Sequence, residues 1–422
     1  MIPFWFILIT ILWMGFFVLE GFDFGVGILH GVVGRDEATS RAAINTIGPL
    51  WDGNEVWLVV AAAAIFAAFP AWYATMFSGY YLAVVILLVA LIVRGVSFEY
   101  RGKRDSARWR ATWDGLLVAG SLVAPFMLGV ALGDLLHGVP INASQEFTGT
   151  LASLFQPYGI FTGITLVLIC ILHGATFLGL KTTGEVRDRA VRLARRIAPV
   201  VFGVVLAFAF WTHATATSSV LLNPVEFAAV LAALAAVWFA FDRRAGWAFA
   251  ATTVTMATSV LAIFVDLYPH VMVSSTNPAF SLTVHNTASP PYTLGVMTII
   301  AVIALPFVLA YQAWSYYVFR RRITADSFRP QAQPAAAGGG AAGGATGGAT
   351  GGAAYAATSS VSALGGAEQG QAGSAPSASA ARAGQPAGAA RGGRPGRGTR
   401  RRPRRRGLRH RGLRHWGPRR RD

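Results

Sequence analysis

Residues 20–31 read E-G-F-D-F-G-V-G-I-L-H-G, and residues 50–57 read L-W-D-G-N-E-V-W. Both stretches lie in or beside long apolar runs, and each carries two carboxylates three residues apart: Glu20 with Asp23, and Asp52 with Glu55. On a helix, residues three apart share a face. An acid at membrane depth costs about 3 kcal/mol, so intramembrane acids line a bundle interior or a proton path instead of facing lipid. The rest of the chain reads as the scaffold that keeps these groups away from lipid.

The surrounding composition agrees. Of 422 residues, 54% are hydrophobic and 13% charged, which is too apolar for a soluble domain and fits an integral membrane protein. Nine apolar segments approach the 20 or so residues needed to cross a bilayer. They are residues 4–29, 47–69, 76–93, 113–133, 158–180, 199–218, 225–241, 248–267 and 293–319. The start of the chain has neither a basic n-region nor a small-residue cleavage site, and reads as the first span. Gly21 with Gly25, and Gly27 with Gly31, offer small residues four apart for close helix packing.

The formal charge of +17 divides unevenly along the chain. Residues 326–422 hold 17 Arg and 3 acids, and residues 1–325 hold 19 basic and 16 acidic groups. Those 19 basic residues fall within 35–41, 94–110, 181–196, 243–244 and 320–322. The intervening loops, at 70–75, 134–157, 219–224 and 268–292, contain no Lys or Arg. This alternation predicts basic loops and C-terminus in the cytoplasm, the N-terminus outside, and an odd number of spans.

The predicted architecture is an all-α polytopic membrane protein of about nine transmembrane helices in two packed bundles, with a disordered C-terminal tail. It divides into a membrane domain (1–325), an Ala/Gly-rich linker (326–390) and an Arg-rich tail (391–422). The linker has too little apolar bulk for a core. The tail reads either as a contact for anionic lipid or nucleic acid, or as a dispensable extension.

Asp23 and Glu20 are expected to be buried in a functional or paired role, with Arg94 as the nearest counter-charge. Asp52 and Glu55, between Trp51 and Trp57, allow two compatible readings: a protonatable relay flanked by rings, or a helix start favoured by the dipole. Asp114 and Asp266 read as membrane-edge acids, and Trp109 and Trp113 as interfacial anchors. His173 and His213 are lone residues on separate spans. Without a paired spacing they read as hydrogen-bonded core residues, so no haem ligand is expected in this chain. Cys170 is the single cysteine; it forms no intrachain disulfide, and no metal-ligating set is assigned. No phosphate-binding Gly-rich loop precedes a Lys and Ser/Thr.

With these residues in hand, the chain resembles subunit II of the cytochrome bd quinol oxidases. The resemblance rests on G-F-D-F-G-V-G at 21–27, P-L-W-D-G-N-E-V-W at 49–57, F-S-G-Y-Y at 77–81 and R-W-R-A-T-W-D at 108–114. G-V-P-I-N at 138–142 and S-S-T-N-P-A-F-S-L-T at 274–283 add to it. It spans about residues 4–323 and leaves the tail out. It implies a nine-helix subunit paired with a larger subunit I that holds two b-type haems, one d-type haem and the quinol-oxidising loop. It also implies a cytoplasmic proton route on subunit II, with the family's intramembrane acids matching Asp23 and Asp52 and its buried arginine matching Arg94.

The expected function is therefore the non-haem subunit of a bd-type terminal oxidase that couples quinol oxidation to reduction of oxygen to water. Asp23, Asp52, Glu55 and Arg94 form the expected proton route and counter-charge, and Trp51 and Trp57 pack towards the partner or its haems. Expected partners are subunit I, membrane lipid and quinol. Some family members carry a structural quinone on this subunit, to which these motifs assign no residues; a small accessory subunit is equally unreadable here. Two other readings stay open: a proton-coupled secondary transporter using the same acids, against which no inverted repeat is visible, and a purely structural assembly subunit.

Overall fold

The computed structural model describes residues 1–216 and 222–329. The chain divides into two units, Met1–Ala336 and Ala337–Asp422. The expectations for the tail and for all but the first residues of the linker lie outside the described residues.

Eleven α-helices are found among the described residues: α1 (Ile2–Val33), α2 (Glu37–Ile44), α3 (Trp51–Ala68), α4 (Pro70–Gly79), α5 (Tyr81–Tyr100), α6 (Ala107–His137), α7 (Pro157–Lys181), α8 (Gly184–Ala216), α9 (Pro224–Phe241), α10 (Ala245–Leu267) and α11 (Pro291–Val318). All but α2 and α4 are long and apolar enough to cross a membrane, which makes nine among the described residues. A short antiparallel pair, β1 (His270–Met272) with β2 (Leu282–Thr283), lies in the connection before α11.

Local chemistry sets the boundaries. Proline stands in the first turn of α4, α7, α9 and α11, where its missing N–H costs nothing. Capping boxes start α2, through Asp36 and Thr39, and α9, through Asn223 and Glu226, and so satisfy otherwise orphaned N–H groups. Pro70 accounts for the main departure from the sequence reading. Residues 70–75 were expected to be loop, yet Pro70 opens α4, and the next span begins at Tyr81 instead of 76. The span expected at 199–218 is the second half of α8, whose arginine-rich first half extends the same helix back to Gly184.

Helix α7 is central and α11 peripheral: 72% of the apolar window of α7 is buried, against 6% for α11. Close approach at the centre depends on missing side chains. A Cβ on Gly25 would lie 1.9 Å from the Cys170 carbonyl oxygen and 2.8 Å from Gly174 Cα, so α1 and α7 can cross here only as glycine on glycine.

The two ends of the bundle differ in kind. At the arginine-bearing end, Lys181 Nζ donates to the Phe319 carbonyl, Thr182 bridges to Ile323, and Arg189 donates to the Val33 carbonyl at 3.0 Å. At the other end several loop ties are neutral. Val139 bridges to Ser274 and Ile141 to Phe147, while Ser289 Oγ donates to the Ala67 carbonyl at 2.8 Å.

Candidate functional site

Arg94 lies on α5 and is fully buried. Its Nη1 is 2.5 Å from Glu20 Oε1 on α1 and 3.5 Å from Glu55 Oε2 on α3. The contact with Glu20 is an ion pair by distance without aligned hydrogen bonds. The guanidinium plane instead lies against two rings, 4.9 Å from the Phe24 centroid and 5.4 Å from that of Phe98. Aromatic faces stabilise a desolvated cation by about 2 kcal/mol. Trp51 stacks on Phe98 at 5.2 Å and extends this column to the start of α3.

Asp23, one turn after Glu20 and also fully buried, has a different partner. Asn54 Nδ2 donates to Asp23 Oδ2 at 2.7 Å. Glu20 and Asp23, three residues apart, share one face of α1. The sequence reading paired Arg94 with the acids without choosing between them; the structure gives it to Glu20 first and Glu55 second. Glu55 keeps 23% of its side chain exposed. Asp52, one turn earlier on α3, is exposed in the first turn of the helix and stays outside the buried cluster. Exposure thus falls from Asp52 through Glu55 to Glu20 and Asp23, which are both fully buried. Trp57 is buried against Gly15 of α1. It also lines an apolar cleft of about 420 Å³ between α1, α3 and α11, together with Gln312.

A second network braces the arginine-bearing end. Arg101 donates two hydrogen bonds to Glu37, of 2.8 and 2.9 Å, and two to Asp114, of 2.6 and 3.4 Å. Asp114 also meets His30 Nε2 at 3.1 Å. Partial burial works against the charge of Arg101, but Glu37 and Asp114 outweigh it and hold the guanidinium above its ordinary value. Asp114, expected at the membrane edge, is thus a shared acceptor between α1 and α5.

Sequence reasoning did not find the cluster at the opposite end. His213 Nδ1 on α8 lies 2.9 Å from Glu226 Oε2 on α9, both buried. Asn223 N donates to the same oxygen at 2.7 Å, and Asn223 Nδ2 donates to Asp266 Oδ1 on α10 at 2.7 Å. Glu226 had a legible signal, the capping box N-P-V-E at 223–226; its pairing with His213 had none. Asn54 and Asp134 were also missed, the first because it is neutral and the second because it was placed in a loop although it is fully buried in the last turn of α6. His173 stacks on Phe249 at 4.6 Å, with its ring nitrogens at hydrogen-bonding distance from Thr252 Oγ1 and the Val18 carbonyl, as a core histidine would.

Residues 1–319 match the family model described as cytochrome bd terminal oxidase subunit II. The chain is 46% identical over 324 residues to the cytochrome bd ubiquinol oxidase subunit 2 of Bacillus subtilis, covering 76% of this chain and 96% of that one. It is 37% identical over 360 residues to the cytochrome bd-I ubiquinol oxidase subunit 2 of Escherichia coli K12, covering 76% and 95%. Its fold matches a chain of the bd oxidase structure from Geobacillus thermodenitrificans with a TM-score of 0.57 at 18% identity, over 74% of this chain and 94% of that one. On the match across its whole membrane region, the chain belongs to the cytochrome bd terminal oxidase subunit II family.

Proposed function

We propose that this chain is the non-haem subunit of a quinol-oxidising, oxygen-reducing complex of a bacterial inner membrane, and that it carries protons inward from its arginine-bearing side. The observation behind this is a charge imbalance. One buried arginine faces Glu20 and Glu55, with a third acid, Asp23, one turn further along α1 and also buried. A second uncompensated carboxylate about 4 Å from a first costs roughly 4 kcal/mol even at an effective dielectric of 20. The cluster therefore holds protons as well as charge, and it can pass them on. Asp52 and Glu55 provide the step from the exposed helix start to the buried pair.

In this reading the arginine-bearing end is cytoplasmic, as the loop charges predict. Quinol oxidation supplies electrons, and the protons consumed in forming water come from the cytoplasm. The haems belong to a partner subunit I. The buried histidines here do not fit a haem: His30 faces Asp114, His173 is engaged at both ring nitrogens and His213 faces Glu226. No step is assigned to a haem in this chain. Membership of the family removes the ground for the transporter reading. The purely structural reading is separated by experiment. Asp52→Asn keeps the side-chain shape and removes the titratable group, so quinol-dependent oxygen uptake by the membranes should fall about tenfold with the haem spectrum intact. Full uptake would take Asp52 out of the route.

A further inference from the structure

Asn54 is fully buried among ionisable groups, and all of its hydrogen-bonding capacity is used. Its Nδ2 donates to Asp23 Oδ2 at 2.7 Å and to the Leu19 carbonyl at 3.2 Å. Its Oδ1 accepts from Gln312 Nε2 and from Tyr316 Oη, both at 2.9 Å. The Leu19 carbonyl can only accept, so the amide nitrogen must face α1 and the oxygen must face α11. Gln312 and Tyr316 are four residues apart and share one face of α11.

The setting gives this amide its weight. Helix α11 is otherwise almost uncovered, with Leu294 its one buried residue. Side-chain hydrogen bonds reach it from Trp5 near its start, at Leu294 and Thr298, and from Asn54 near its end. The Asn54 contact therefore joins the most exposed span to a fully buried acid. An N–H donor on a carboxylate favours its ionised form, and a lost donor leaves a buried oxygen unpaired.

We infer that Asn54 is the positioning residue of Asp23, and that α11, through Gln312 and Tyr316, holds it in register, so that proton transfer at Asp23 depends on how α11 is seated. This rests on the proton-route reading and assigns that route a further residue. An aspartate at position 54 would not serve, because it would turn an acceptor towards Asp23 and the Leu19 carbonyl.

The test uses membranes containing the whole complex and follows oxygen uptake against pH together with the haem spectrum. Asn54→Leu has a similar branched shape and no donor. Uptake should fall about tenfold, with haem retained and the pH–rate profile displaced to higher pH. Tyr316→Phe removes one hydroxyl outside the acid's own contacts. It should give a smaller fall, about twofold, with a displacement in the same direction. An unchanged profile with full uptake in both variants overturns the inference. If Asn54→Leu loses the haem signal, Tyr316→Phe decides alone: a displaced profile supports the inference and an unmoved one overturns it. Asp23→Asn separates the two readings. Full uptake in Asp23→Asn defeats the proton route itself, whereas lost uptake there with normal Asn54→Leu and Tyr316→Phe membranes defeats only the role of Asn54.

Discussion

Two buried acid clusters occupy this bundle, and they differ in the basic side chain that faces them. Deep between α1, α3 and α5, Glu20 and Glu55 face the guanidinium of Arg94. At the opposite end, Glu226 faces the imidazole of His213. The guanidinium is enclosed by the rings of Phe24 and Phe98 and faces two acids, with a third one turn further along α1. The acid of the histidine cluster is also tied to a helix cap through Asn223. The first arrangement fits a group of acids exchanging protons around a guanidinium. The second fits a clasp holding the ends of α8, α9 and α10.

The largest expected effect comes from removing the guanidinium. Arg94→Leu leaves Glu20 and Glu55 without their partner, a loss of about 3–5 kcal/mol. The variant chain should be depleted from membranes on an immunoblot. Normal abundance would show that the acids are already neutral and need no cation. Next comes Asp23→Asn. Because Arg94 keeps Glu20, assembly should be retained while oxygen uptake falls about tenfold. Loss of abundance alongside activity would instead make Asp23 a structural acid like Glu226.

Glu226→Gln should be milder. The amide oxygen still accepts from Asn223 and His213, so about 1 kcal/mol of stability is expected to be lost, read as a few degrees in thermal unfolding of the purified complex, with uptake unchanged. A tenfold loss of uptake here would erase the distinction between the two ends. The smallest effect lies at the N-cap of α2. The Thr39 backbone N–H donates to Asp36 and holds its carboxyl below the ordinary value. A depressed carboxyl stabilises the fold above its unfolded titration point and loses that contribution as pH falls through the folded one, so the cap should weaken below about pH 4. Asp36→Ala should cost about 1 kcal/mol at neutral pH and nothing further on acidification.

Much of this was legible in the chain itself. Span number followed from runs of apolar residues, and the two chemically distinct ends from the placement of Lys and Arg, because hydropathy and charge are properties of each residue where it stands. The candidate acids were legible for the same reason: a carboxylate inside an apolar run stands out whatever surrounds it. Partners were not. That Arg94 meets Glu20 before Glu55, that Asp52 turns outward while Asn54 turns in, and that His213 finds Glu226 all depend on how helices are rotated about their axes and packed. Residues 70–75 were misread because a short helix opened by proline has the composition of a loop. Asn54 was passed over because a neutral amide gains importance only when its neighbours are charged. The chain alone determined which groups must avoid lipid, since that cost is intrinsic to each group; only the tertiary structure decided which group shields which, since the energy of a buried charge is set by the atoms within a few ångströms of it.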